Sequence, residues 1–322
     1  MIHYTQCPVC HSTNFQLVLS ARDHTVSKDK FTIWQCGNCS LRFTQDVPPQ
    51  EEIGKYYRSE DYISHSDTQK GLVNSLYHQV RKITLNTKRS WVKRATGRSE
   101  GTLLDIGAGT GAFLNHMRST GWKVEGVEPD PKAIEVAERR YKLTLNSPAE
   151  LFGYADARFD AITMWHVLEH VHQLQEYIVQ LKKLLKEDGV LLIAVPNYTS
   201  DDAAYYGEFW AAYDVPRHLY HFSPAAMKML LQAHGFEICR LHPMWFDSFY
   251  VSLLSEKYKT GRSNLLTGFI KGFQSNLKAM KNTRLASSIV YEAKITGTET
   301  ERERGTGTES ETGIQAKNLK KT

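Results

Sequence analysis

The sequence predicts an α/β fold, a mostly parallel sheet with helices on both faces, and three observations carry that prediction. From residue 101 onward, short apolar runs alternate with helical patterns and turn residues, as a parallel sheet requires. "LLDIGAGTGAFL" (103–114) sets a buried strand directly before a loop of three glycines and an amphipathic helix. "VLLIAVPN" (190–197) is a continuous apolar run of the kind buried on both faces.

Each element has its own signal. "GTLLDIG" is the first strand, and "AFLNHMRSTGW" is a helix with Phe113, Leu114 and Met117 inward, stopped by Gly121. "KVEGVEPD" is the second strand, closed by Asp130 as N-cap with Pro131 at the first helical position. The helix "KAIEVAERRY" and a short strand near "KLTLN" come next, then the strand "FDAITMWHV" (159–167). "LQEYIVQLKKLLKEDG" places Leu174, Tyr177, Ile178, Leu181, Leu184 and Leu185 on one helical face and stops at Gly189. Ser223 and Pro224 open a helix with Met227, Leu230 and Leu231 inward. "FEICRLHPM" and "SSIVYEAK" are the final strands, with Cys239 expected as a small core residue of the first.

The organisation outside the sheet is also legible. Cys7, Cys10, Cys36 and Cys39 form two C-x2-C pairs, a spacing that lets four thiolates surround one structural Zn2+. Residues 1–45 are therefore expected to be zinc-ribbon-like, with 46–100 a linker and helical cap carrying Tyr56, Tyr57, Tyr62, Tyr77 and Trp91. The main domain runs over 101–295, interrupted by a helical insertion at 246–285, and the Thr/Glu/Gly-rich stretch 296–322 is expected to be a disordered tail.

Bulk properties narrow the class. With 322 residues, 41% hydrophobic and 23% charged, the composition is that of an ordinary globular protein. A net charge of +5 with scattered Lys and Arg lacks the basic stripe that nucleic-acid binding uses. "MIHYTQCPVC" has no signal-peptide pattern, and no apolar run approaches the ~20 residues of a spanning helix. A cytoplasmic protein without a transmembrane segment is expected.

The glycine loop admits two ligands, a dinucleotide or a cationic methyl donor. Its spacing is G-x-G-x-G (Gly107, Gly109, Gly111), and Asp105 stands beside it. A carboxylate there repels a pyrophosphate but attracts an ammonium or a sulfonium. Glu128, at the end of the second strand, stands where an acid accepts both ribose hydroxyls of either ligand.

With these motifs in order, the chain resembles the class I S-adenosylmethionine (SAM) dependent methyltransferases over roughly residues 100–295. The resemblance rests on "LLDIGAGTG", "VEGVEPD", "FDAITMWHVLEHV" and "LLKEDGVLLIAVPN". It implies a Rossmann-like seven-stranded sheet whose last pair is antiparallel, and SAM as cofactor. It also implies Asp105 and Gly107 beside the methionine part, with Gly109 in the same loop, and Glu128 on the ribose. Ala149 and Glu150 would flank the adenine, while Met164 and His166 would border the cofactor.

His166, Glu169 and His170 spell H-x-x-E-H, but the motif opens at a strand end rather than inside a helix, so peptidase chemistry is set aside. The same stretch resembles an E-x-x-E-H segment of ubiquinone-pathway O-methyltransferases that is associated with a divalent metal. His166 replaces the first acid here, so Glu169 and His170 are expected to hold the loop above the cofactor.

"WAAYDVPRHLYHFS" (210–223) is the acceptor-side candidate, with His218 or His221 as general base and Arg217 opposite an anionic group. The same residues also suit the lead-in that docks the Ser223-capped helix. A cysteine-knuckle pair before such a domain resembles deoxysugar C-methyltransferases, which implies a small-molecule or glycan/nucleotide-sugar-type acceptor. The alternatives are an RNA methyltransferase that docks through its ribbon, and a non-catalytic scaffold.

Overall fold

A computed structural model describes residues 1–57, 72–262 and 264–297, with no side-chain description for 72–78. All of the expected tail except residues 296 and 297 lies outside the described residues, as do Tyr62 and the Tyr77 side chain.

Six strands make the main sheet: β4 (Thr102–Ile106), β5 (Lys123–Val127), β6 (Phe159–Trp165), β7 (Leu185–Pro196), β9 (Phe236–Pro243) and β10 (Ser288–Ile295). Their order is β5-β4-β6-β7-β10-β9. β5, β4, β6 and β7 are mutually parallel, and β10 runs antiparallel to both β7 and β9. The mixed, Rossmann-like sheet matches expectation except at one edge. The "KLTLN" segment contributes a single parallel bridge, Asn146 to Val127, instead of a seventh strand. Lys142 is left-handed before it, and Pro148 opens a short helix after it, so little extended chain remains.

Period-2 alternation gives the sheet two apolar faces. Ile162, Met164, Leu191, Ile193, Ile289 and Tyr291 meet helices α4 (Leu174–Leu184) and α6 (Pro224–Ala233). Leu103, Trp165, Leu192 and Val290 meet α1 (Leu72–Thr96) and α2 (Ala112–Arg118). Between α2 and α4, α3 (Pro131–Tyr141) starts at Asp130, whose side chain accepts from Lys132 N at 3.0 Å.

Two local expectations are corrected. The helix before β7 ends at Leu184, not at Gly189. Leu185 is extended and pairs with Phe159, and the chain doubles back so tightly that a Cβ on Gly189 would lie 2.9 Å from Lys186 O. Cys239 is exposed, because a bulge opposite Glu292 and Ala293 on the edge strand β9 turns it outward.

The N-terminal strands β1 (Phe15–Arg22), β2 (Lys30–Cys36) and β3 (Arg42–Thr44) form an antiparallel sheet that β8 (Tyr220–His221) extends. Cys7, Cys36, Cys39 and Phe43 share one core with Leu219 and Phe222. α5 (Asp201–Tyr206) follows β7, and the insertion before β10 is a hairpin of α7 (Asp247–Thr260) and α8 (Leu265–Lys281).

Candidate active site

The site lies at the C-terminal ends of the parallel strands, where open α/β sheets take ligands. Beyond β4 the chain turns through Gly107, Gly109 and Gly111, with φ of 70°, 54° and 75°. Gly107 and Ala108 N–H both donate to Val127 O, at 2.8 and 3.0 Å, which pins the turn to β5. A Cβ on Gly107 would lie 2.3 Å from Val167 Cγ2, so close approach requires glycine there. A Cβ on Gly109 would meet nothing within 4 Å, so the loop faces open space at that residue.

Glu128 closes one side of this space. Its Oε2 accepts from Gly109 N at 2.7 Å and its Oε1 from Asp130 N at 2.9 Å. Burial raises its carboxyl pKa despite these two donors.

Asp105, near the end of β4, is 1% exposed. Thr163, its register partner on β6, donates Oγ1–H to Oδ1 at 2.6 Å. Burial pushes the Asp105 carboxyl up to about 7, against the opposing pull of Thr163 and the Lys88 ammonium. Asp160, at the opposite end of the strands, shows what a structural acid looks like here. Both of its oxygens meet Lys186 Nζ at 3.0 Å, and its carboxyl is held below the usual range despite burial. Among the described residues, Asp105 has no such ion pair.

Sequence patterning did not single out Lys88. It reaches over the same face from α1, with Nζ 4.3 Å from the centre of the Trp165 ring. Burial lowers its ammonium to about 8, against the attraction of Asp105 and Asp247. It stands among several other cations in "TKRSWVKR", and nothing in that pattern distinguishes it.

His166 follows β6 with φ 58°. Its Nε2 meets Asp247 Oδ2 at 2.8 Å, and its Nδ1 lies 3.3 Å from Glu169 Oε1. Burial would lower its pKa, but the Asp247 and Glu169 carboxylates outweigh burial and hold the imidazolium up to about 10. The α7 helix is thereby joined to the end of β6.

Behind His166, the fully buried Glu169 carboxylate has His166 Nδ1 3.3 Å from Oε1 and no hydrogen-bond partner on Oε2. It lies with His170 and His218 in a cluster whose ligand atoms are all within 4.8 Å of one another. His170 Nδ1 meets Tyr57 OH and Arg217 O at 3.0 Å each, and His218 Nδ1 meets Ala212 O at 2.8 Å. Donation to those carbonyls leaves both Nε2 atoms as the unprotonated nitrogens, that of His218 also 3.9 Å from Asp214 Oδ2.

The other expected site residues fall elsewhere. His221 lies within β8, 3% exposed, with Nε2 3.1 Å from Thr44 Oγ1, and burial holds it neutral. Arg217 is 1% exposed and bonded to Asp214, Asp23 and Tyr56 O, so it is committed to the interior and not to a substrate anion. Met164 is wholly buried in the core, which leaves only its backbone to border a ligand. Ala149 and Glu150 are exposed, and Glu150 Oε1 accepts from Ser147 N (2.9 Å) and Oγ (3.1 Å) in a capping box.

The four cysteine sulfurs also lie within 4.8 Å of one another, with Cys7 to Cys39 and Cys10 to Cys36 each at 3.5 Å. Tetrahedral Zn–S bonds of about 2.3 Å separate sulfurs by ~3.8 Å, so the cluster fits that ion. Asn38 N and Leu41 N each donate to a sulfur, of Cys36 and Cys39, at 3.4 Å.

A demethylmenaquinone methyltransferase of Tropheryma whipplei (strain Twist) is 29% identical over 137 residues, covering 41% of this chain and 57% of that one. A ubiquinone biosynthesis O-methyltransferase of Pelagibacter ubique is 36% identical over 104 residues, covering 30% and 42% respectively. The chain thus spans about half the length of the curated relatives it matches. The solved geranyl diphosphate C-methyltransferase of Streptomyces coelicolor A3(2) shares the fold with a TM-score of 0.51 at 16% identity, over 78% of this chain and 99% of that one. The family model described as a methyltransferase domain matches residues 78–241, just over half of the 322 residues, and the chain belongs to that family.

Proposed function

We propose that the protein binds SAM at the β4–β5 strand ends and methylates a small-molecule acceptor. One observation carries this reading: a buried carboxylate with no ion pair in direct contact among the described residues, Asp105, stands beside a glycine loop open at Gly109, with the Lys88 ammonium near enough to act on it only through its field. That arrangement suits a positively charged amino-acid ligand and opposes a pyrophosphate. Asp105 would hold the ammonium, Lys88 the carboxylate, and Glu128 the ribose hydroxyls. Bound there, SAM supplies an electrophilic methyl group on a good leaving group.

The chain's own contribution is alignment and proton removal. His218 is the favoured base, because its Nδ1 is tied to Ala212 O and its Nε2, 3.9 Å from Asp214 Oδ2, lies where a carboxylate would stabilise the imidazolium formed on accepting a proton. The names of the curated relatives, which concern menaquinone and ubiquinone biosynthesis, support a small-molecule acceptor. Calorimetry with SAM and with NAD tests the reading, and binding of NAD alone overturns it.

Two predictions follow from the charges. Asp105 must be ionised to hold an ammonium, so SAM affinity is expected to fall about tenfold per unit as pH drops below 7. Calorimetry across pH 5–8 should show this limb in the wild type and not in Asp105→Asn. Lys88→Met should weaken SAM about tenfold, the loss of one charge-assisted hydrogen bond of ~1.5 kcal/mol. Unchanged affinity would remove Lys88 from the site.

A second reading concerns Glu169, His170 and His218. A buried carboxylate whose Oε2 has no hydrogen-bond partner, with two imidazoles whose ligand atoms lie within 4.8 Å, fits a divalent cation, which would polarise an acceptor oxygen. Titration with Mn2+ should show a site that Glu169→Gln removes. In its absence, the cluster serves only to hold the loop.

The four cysteines are proposed to hold one structural Zn2+. Elemental analysis of protein purified without chelator should find one zinc per chain, and Cys36→Ser should lose it. Zinc-free wild type of full stability would reject the assignment.

A further inference from the structure

The α7–α8 hairpin is packed the opposite way from an ordinary surface helix. α8 turns its smallest residues inward: Gly268, Gly272, Ser275 and Ala279 are buried at helical spacing. A Cβ on Gly268 would lie 2.9 Å from Leu253 Cα, and one on Gly272 would lie 2.8 Å from Phe249 Cα, so the two backbones touch. The large apolar side chains of α8 therefore project outward. Leu265, Leu266, Phe269, Phe273, Leu277 and Met280 are all exposed, Leu266 by 70% and Met280 by 72%. Such a row on one helix, where among these six only Phe269 has a ring stacked on it (Phe249, at 4.9 Å), exceeds the scattered apolar exposure of a typical surface.

Charge indicates what covers it. From Lys257 to Arg284 the chain has seven basic residues and no acidic one, more than the +5 of the whole protein. Lys278 is paired with Asp201. Lys259 and Lys271 instead sit over the Tyr205 ring, at 4.4 and 4.0 Å, and Arg262 and Lys281 are exposed. On α8 itself, Lys271, Lys278 and Lys281 form an arc beside the apolar one. An apolar arc flanked by cations is the pattern of a helix lying in a lipid headgroup layer. At 17 residues α8 is too short to span the bilayer, and no helix among the described residues is long and apolar enough to do so.

We propose that the α7–α8 hairpin docks the protein on an anionic membrane surface. Phe273 and Leu266 enter the acyl boundary while Lys271 and Lys281 face lipid phosphates. This does not rest on methyl transfer, although Asp247 of the same hairpin bonds His166 at the candidate site.

Flotation of the full chain with vesicles tests the proposal. The wild type should float with phosphatidylcholine–phosphatidylglycerol vesicles and remain below with phosphatidylcholine alone. Leu266→Ser with Phe273→Ser should reduce binding at least about tenfold. Lys271→Glu with Lys281→Glu should abolish the preference for the anionic lipid. Circular dichroism checks folding, and Leu265→Ser with Met280→Ser is a second pair should the first unfold. Failure of the wild type to float, or unchanged flotation of the serine variants, overturns the proposal. So does a solution dimer that the serine variants dissociate, since a second copy would then cover the face.

Discussion

Glu128→Ala is expected to weaken SAM binding about a hundredfold. Glu128 is 8% exposed and both oxygens are already oriented, one by Gly109 N–H and one by Asp130 N–H. Each oxygen keeps a second lone pair, and two vicinal hydroxyls can bind one carboxylate through them. Hydrogen bonds to a charged group contribute about 1.5–3 kcal/mol each, so removing two costs ~3 kcal/mol, or a hundredfold in Kd. Calorimetry with SAM and with S-adenosylhomocysteine measures it directly. Glu128→Gln should fall between, because it keeps an acceptor but loses the charge. Ligand-free melting separates the loop's lost tether, worth ~1 kcal/mol, from lost cofactor contacts. An Ala variant binding within threefold of wild type would contradict the placement of the ribose.

The residues that the sequence exposed are those whose roles depend on local spacing. Asp105, the three glycines and Glu128 lie on one strand–loop–helix–strand unit, so their positions follow from two short strands and a turn. The paired cysteines are legible for the same reason, since each knuckle is four residues long. The pairings that stayed hidden act across long separations. Arg217 meets Asp23 across 194 positions, and His166 meets Asp247 across 81. No periodicity encodes either pairing. Arg217 looked like a substrate ligand because a charged residue in a His- and Tyr-rich loop resembles an acceptor site. It became structural only when the N-terminal sheet supplied its partner. The insertion was legible as helical, but which arc faces inward depended on how closely α7 approaches Gly268 and Gly272.

Arg217→Met is expected to destabilise the protein by about 3–5 kcal/mol, the usual cost of leaving buried charges without their partner. Arg217 Nε and Nη2 donate to Asp214 at 2.9 and 2.7 Å, Nη2 also to Asp23 at 3.0 Å, and Nη1 to Tyr56 O at 2.8 Å. Met keeps most of the aliphatic stem, so the loss is electrostatic rather than a cavity. Asp23 has other donors, with Ser27 N at 2.7 Å and Thr25 N at 3.0 Å, whereas Asp214 depends on Arg217 above all. Burial would raise both carboxyls, but their donors outweigh it and hold both below the usual carboxylate range. A depressed folded-state pKa contributes stability that is present above the unfolded value of ~3.9 and lost as pH falls through the folded one. The wild type should therefore lose stability on acidification below about pH 4, and the variant should lose less over the same interval. Urea unfolding at pH 7 and at pH 3 gives both quantities. A difference under 1 kcal/mol at pH 7 would mean that the pair is solvated in solution, and the joint between the N-terminal sheet and the acceptor loop would need another origin.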